Sequence, residues 1–122
     1  MIEIAIMGYG VVGSGVAEVL AKCIPRTDDF VARYGGEEFV VVLPNTNEIG
    51  ARIVAERIME QMQANNIPHA SSDIARYITF SIGFATGVAK HTNTVNDFIQ
   101  KADEMLYKAK KSGRNRYEYQ SM

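Results

Sequence analysis

The sequence is short of several things, and each shortage excludes something. One cysteine, Cys23, stands among 122 residues. No disulfide can therefore staple the chain to itself, and a reducing compartment, the cytoplasm, is the expected home. Cys23 itself reads as a small apolar residue near a helix end. Neither sign of charge dominates: 13 Lys and Arg against 14 Asp and Glu leave a net charge of -1. No general field draws nucleic acid or anionic lipid, so phosphate binding has to be local, and neither a nucleic acid nor a membrane is expected as a partner. The apolar amino terminus has Glu3 where a secretory leader would be basic, and glycines interrupt it from Gly8 onward. Neither a signal peptide nor a membrane span is expected from it. There are no repeats and no low-complexity tract. A last absence is local: from Ile4 through Ala17 there is no Asp, Glu or Asn.

What is present is a globular balance, 47% hydrophobic and 22% charged residues, in a length that suits one domain over residues 1–122. Ile2 to Met7 is a short apolar run, Gly8 to Gly15 a glycine-rich turn, and Val16, Val19 and Leu20 recur at helical spacing until Pro25 disfavours helix at Ile24. Phe30 to Tyr34 and Phe39 to Leu43 are apolar runs around Gly35-Gly36-Glu37-Glu38, the pattern of a β-hairpin with acid at its tip. Asn45 or Thr46 can cap a helix whose stripe is Ile49, Ile53, Val54, Ile58 and Met62, stopped by Asn65-Asn66 and Pro68. Tyr77 to Ala85 alternates Ile78, Phe80, Ile82 and Phe84 with Thr79, Ser81 and Gly83, a strand followed by a loop over residues 86–93. Thr94 can cap a further helix carrying Val95, Phe98, Ile99, Ala102, Leu106 and Ala109, which Gly113 ends. Tyr117 and Tyr119 mark a last strand at a sheet edge.

The order β-α-β-β-α-β-α-β predicts an α+β fold, an α/β sandwich with a ferredoxin-like βαββαβ core plus a carboxyl-terminal helix and strand. In that plan strands one and two are parallel with strand three between them. The hairpin tip and the Gly8 turn then meet at one sheet edge. The tip admits two readings: a tight turn with solvated acids, or glycines that receive a phosphate beside Glu37 or Glu38 holding a divalent metal. Gly8, Gly10 and Gly13 spell G-x-G-x-x-G between strand and helix, which serves either as a plain glycine turn or as a pyrophosphate cradle. Asp28 and Asp29 lie at the distance where a ribose-binding acid is sought, but they precede the second strand and do not end it.

Arg33-Tyr34-Gly35-Gly36-Glu37-Glu38-Phe39 followed by Val40 to Pro44, then Ser81-Ile82-Gly83, then Lys110 to Arg116, resembles the GGDEF domain of diguanylate cyclases from Ile24 to about Tyr119. The resemblance implies a Mg2+-dependent condensation of two GTP into cyclic di-GMP between two facing domains, hence a homodimer. It implies that Gly35 and Gly36 lie beside the GTP phosphates, that Glu37 is a metal ligand with Glu38 next to it, and that Lys110 and Arg114 contact phosphate. It also implies an inhibitory cyclic di-GMP site made of Arg26, Asp29 and Arg57. For the lysines at the end of the last helix, a solvated face that suits the helix dipole is the alternative. In that family strand one ends in metal-binding aspartates, and the next segment supplies an Asn and an Asp that hold guanine. Here that stretch is the acid-free one, so Glu37 and Glu38 read as remnants of a catalytic set and turnover is not expected.

Residues 1–23 resemble the NAD(P)-binding start of homoserine dehydrogenase and stop before that fold's second strand, so NAD(P) binding is not expected. The chain thus reads as a chimera, engineered or selected, of a dehydrogenase-like strand-turn-helix (1–23) that completes the sheet of a GGDEF-like remainder (24–122). Two other functions stay open: a cyclic di-GMP-binding module, and an NAD(P)-binding fragment.

Overall fold

A computed structural model describes residues 3–9, 20, 22–24, 28–33, 39–65, 81–88 and 95–122. Five strands, β1 (Glu3–Tyr9), β2 (Phe30–Arg33), β3 (Phe39–Pro44), β4 (Ile82–Val88) and β5 (Tyr117–Ser121), form one sheet in the order β2-β3-β1-β4-β5. Helix α1 (Glu48–Asn65) joins the hairpin side to β4, and helix α2 (Val95–Lys111) lies between β4 and β5. Leu20, Lys22 and Cys23, ahead of β2, are helical too.

The short apolar runs become strands because each finds a partner. β1 is antiparallel to both neighbours, with Ile4 opposite Pro44 and Gly8 opposite Val40 on one side, and Glu3 opposite Val88 and Tyr9 opposite Ile82 on the other. β2 is antiparallel to β3, so β1 and β2 point the same way with β3 between them, as the ferredoxin-like plan requires. β5 runs parallel to β4, and the long α2 connection is what a parallel pair needs.

Alternation along β3 and β4 divides the core between the two sheet faces. Phe39, Val41, Leu43, Ile82 and Phe84 pack with Leu20, Cys23 and the α1 residues Ala51, Ala55, Ile58 and Met62. Ala85 packs on the other face with Phe98 and Ala102 of α2, joined by the half-buried Val40, Val42 and Ile99.

Several expectations need correcting. The buried line of α1 is Ala51, Ala55, Ile58 and Met62, whereas Ile49 and Ile53 are 66% and 50% exposed and Val54 is half-buried. Small alanines let the helix sit close to the sheet, so size in the sequence misled about orientation. The α1 cap is Asn47, whose Oδ1 accepts from the Gly50 amide at 2.9 Å, and neither Asn45 nor Thr46 plays that part. Asn45 takes a left-handed turn (φ 52°), and the Thr46 hydroxyl donates to the Pro44 carbonyl at 3.0 Å.

β4 continues to Val88, where a loop was expected, because β1 pairs with it through Val88 and β5 through Thr86. Every residue from Ser81 through Thr86 is buried, so the Ser81 and Gly83 face is covered as well. A Cβ on Gly83 would stand 2.0 Å from the Leu106 nitrogen and 2.3 Å from the Ala102 carbonyl oxygen. The glycine is what lets α2 lie directly on β4. Residues 77–80 and the proposed cap Thr94 lie outside the described residues. Gly8 is also placed differently from expectation: it sits inside β1, paired on both sides, and not in a turn.

Candidate functional site

The strand registers gather one end of the sheet. Tyr9 ends β1 opposite the first residue of β4, Ile82, which in turn lies opposite the first residue of β5, Tyr117. Arg33 ends β2 opposite the first residue of β3, Phe39. The connections that open from or lead into this end are therefore residues 10–19, residues 34–38, the short loop 112–116 and, entering β4, residues 66–81. Gly10 and Gly13 belong to the first of these, and Gly35, Gly36, Glu37 and Glu38 to the second; all six lie outside the described residues.

The third connection is described in full. Gly113 takes φ 122° and ends α2, and the Arg114 amide donates to the Ala109 carbonyl at 3.0 Å, the six-to-one bond of a Schellman cap. Arg114 and Asn115 are left-handed as well, with φ of 61° and 48°. The Ile82 amide donates to the Arg116 carbonyl at 2.9 Å, which ties the loop's exit to β4. Arg114 and Lys110 thus stand at the end of the sheet from which the Gly-Gly-Glu-Glu connection departs. Of the neighbouring cations, Lys108 pairs with Glu118 at 3.9 Å and Lys111 lies 5.5 Å from the Tyr107 ring centre. Those two serve the helix surface.

What β1 brings to this end is neutral. Its last residues are Met7, Gly8 and Tyr9, and its one acid, Glu3, is at the opposite end beside Val88. Among the described residues no group of three or more His, Cys, Asp or Glu could hold a metal ion. The donor set that Mg2+ needs, several oxygens around one point, gains no side-chain carboxylate from Met7, Gly8 or Tyr9.

A second site lies at the other end of the sheet. A cavity of about 310 Å³ is lined by Cys23, Asp29, Leu43, Thr46, Ile53, Val54 and Arg57, with Gly50. Asp29 precedes β2, whose first residue pairs with Val42 near the finish of β3, whereas the loop end of the sheet is where β3 starts. The length of β3 separates the two by roughly 17 Å. Asp29 and Arg57, far apart in sequence, line one cavity; Arg26 lies outside the described residues. Arg57 donates from Nη1 to the Cys23 carbonyl oxygen at 3.3 Å. Burial pushes the Cys23 thiol above its ordinary pKa, and Arg57 offsets part of that. Cys23 is 1% exposed, and it is both a wall of the cavity and part of the core.

The sequence reading missed one cluster. Along β5, Tyr117, Tyr119 and Ser121 face α1, where Glu56, Arg52 and Glu48 recur every fourth residue. The Tyr117 hydroxyl donates to Glu56 Oε1 at 2.7 Å, the Arg52 guanidinium lies 5.5 Å from the Tyr119 ring centre, and the Ser121 hydroxyl donates to Glu48 Oε1 at 3.0 Å. Two strand residues advance the chain about as far as four helix residues, which is why the two spacings stay in step. That matched spacing was the signal available in the sequence.

Comparison with known proteins bears on both ends. The family described as "Diguanylate cyclase, GGDEF domain" matches residues 14–116, so the likeness begins before Ile24 and takes in the helical Leu20, Lys22 and Cys23. Diguanylate cyclase A of Treponema denticola is 38% identical over 101 residues, covering 83% of this chain and 26% of that protein. The response regulator PleD of Caulobacter vibrioides is 39% identical over 90 residues, covering 74% of this chain and 20% of PleD. The chain thus spans about a quarter of the length of the curated relatives it matches. The GGDEF domain of DgcB from Caulobacter crescentus, solved in complex with c-di-GMP, superposes with a TM-score of 0.79 at 26% identity, over 97% of this chain and 78% of that one. The active GGEEF domain of a diguanylate cyclase from Vibrio cholerae shares the fold, with a TM-score of 0.77 at 23% identity over 96% and 82%.

Proposed function

The chain belongs to the diguanylate cyclase GGDEF family, and from that premise we propose that it is a nucleotide-binding domain of this type that does not turn over. The observation that carries the reading is the register of β1, which brings Gly8 and Tyr9, and no carboxylate, to the end of the sheet where the hairpin acids begin. Gly35 and Gly36 would admit the GTP phosphates, with Lys110 and Arg114 neutralising them from the loop end. Glu37 and Glu38 alone would face any Mg2+, too few ligands to hold it against a triphosphate. The test is a Mg2+-dependent assay of cyclic di-GMP formation by the full chain. Background product is expected, and robust product would overturn the proposal.

A second reading, cyclic di-GMP binding at the other end, is favoured by the cavity that Asp29 and Arg57 share. Guanidinium pairs with phosphate and the guanine edge, and a carboxylate accepts from guanine nitrogens. Arg26 would complete the set. Calorimetry should give heat with cyclic di-GMP that Arg57→Ala removes, and no heat at high ligand concentration disposes of the site.

The stretch from Ile4 through Ala17, which has no Asp, Glu or Asn, also supports a mixed origin, with residues 1–23 of homoserine dehydrogenase type. NAD(P) binding by that segment is disfavoured because β1 has antiparallel neighbours on both sides, where a dinucleotide fold has parallel ones. No described helix is long and apolar enough to cross a membrane. A cytoplasmic domain that pairs with a second copy is the setting this reading assumes.

A further inference from the structure

We propose that Tyr117, held by Glu56, is a positioning residue that fixes Arg114 for phosphate; the inference rests on the reading of the loop end as the phosphate-facing end. The loop 112–116 has three consecutive left-handed residues, two of which are not glycine. Non-glycine residues keep that conformation only where their surroundings hold it. The entry is held by α2 through the Arg114 amide, and inside the loop Arg116 Nε donates to the Arg114 carbonyl at 3.1 Å.

The exit leads into β5, a strand of five residues with one strand neighbour, β4, among the described residues. Such a strand has few ladder bonds to keep its start in place. Tyr117, its first residue, adds a side-chain restraint to the Ile82–Arg116 backbone bond. Its ring stacks on the buried Phe84 ring at 6.1 Å between centres, and its hydroxyl reaches across to α1 and donates to Glu56 Oε1 at 2.7 Å. A hydroxyl bonded to a carboxylate is of the stronger, charge-assisted kind. Tyr117 is three residues from Arg114, so a shift of Tyr117 would move the backbone that carries the guanidinium. Tyr119 and Ser121 repeat the tie further along β5, away from the loop.

The experiment is calorimetric titration of the full chain with inorganic triphosphate and, in parallel, with GTP. Tyr117→Phe and Glu56→Ala should each weaken triphosphate binding by about fivefold, the scale of one hydrogen bond. Glu56→Gln, whose amide oxygen still accepts from the hydroxyl, should restore it. Arg114→Ala should weaken binding by itself, and adding Tyr117→Phe to it should cost nothing more, since a positioning residue has nothing left to position. A change in fold alone would add to the Arg114→Ala loss and would not be rescued by Glu56→Gln. Loss with Arg114→Ala but none with Tyr117→Phe overturns the positioning role. No loss with Arg114→Ala overturns the phosphate-facing end itself, and the positioning role with it. Should Tyr117→Phe fold poorly, the Glu56→Ala and Glu56→Gln pair, on an exposed helix position, carries the same comparison.

Discussion

The two faces of the sheet are packed by different means. Toward α1 the sheet presents Val41, Leu43, Ile82 and Phe84, all fully buried, and the helix answers with small residues and Ile58 and Met62. Toward α2 strand β4 presents Gly83 and Ala85, and the helix comes so near that a single Cβ at residue 83 would strike its backbone. One face is stabilised by the volume it removes from water, the other by the closeness of two backbones. A face built on volume tolerates trimming in proportion to the atoms lost. A face built on closeness tolerates no addition at all.

The largest expected effect follows from that asymmetry. Gly83→Val should cost above about 4 kcal/mol in denaturant unfolding, or prevent folding, because the helix backbone and not a flexible side chain stands in the way. A loss of less than about 1 kcal/mol would mean that α2 can retreat at little cost, and the contrast between faces would dissolve. Next, Ile58→Ala on the volume face should cost about 3 kcal/mol by transfer and cavity terms. Another member of the expected stripe, Ile53, is half-exposed at 50%, and Ile53→Ala should change stability by less than about 0.5 kcal/mol. Equal losses at the two positions would reinstate the stripe that spacing suggested.

A smaller effect separates the rim of the volume face from its centre. The Glu56 carboxylate, followed by burial, pushes the Tyr117 phenol above its ordinary 10.0. A raised folded-state pKa means that the stabilisation is complete below the unfolded value and is lost as pH rises through the folded one. Tyr117→Phe should therefore cost about 1 kcal/mol at neutral pH, and the difference from the parent chain should shrink above about pH 10. A pH-independent difference would assign the loss to packing against Phe84. The least effect on stability belongs to a measurement without substitution. Cys23, 1% exposed and with its thiol pushed up by burial, should react with a thiol reagent only as fast as the chain opens. Rapid labelling of the folded chain would place the cavity wall in solvent.

Much of the fold was legible because it is local. The apolar residues of α2 fall at helical spacing, and the buried set Phe98, Ala102, Leu106 and Ala109 is the one that spacing picks out. Gly113 ends the helix with the positive φ that its place predicts. The hairpin strands start at Phe30 and Phe39 as their apolar runs predict, and Pro44 closes the second. α1 was read less well, since its large apolar residues and its buried line disagree, and only the distance to the sheet decides which face turns inward. The candidate site was legible as a list and not as an arrangement. Asp29 and Arg57 are matched to one role by resemblance, yet their common cavity exists only because α1 packs beside the segment that ends at Cys23.

Periodicity, turn chemistry and the missing acids before Ala17 needed no coordinates: they reside in neighbouring residues, and the backbone reads neighbours directly. The strand order β2-β3-β1-β4-β5, the burial of both faces of β4 and the tie of Tyr117 to Glu56 were decided by tertiary structure. Those contacts join residues whose separation along the chain carries no period, and they form only when every strand has found its neighbour.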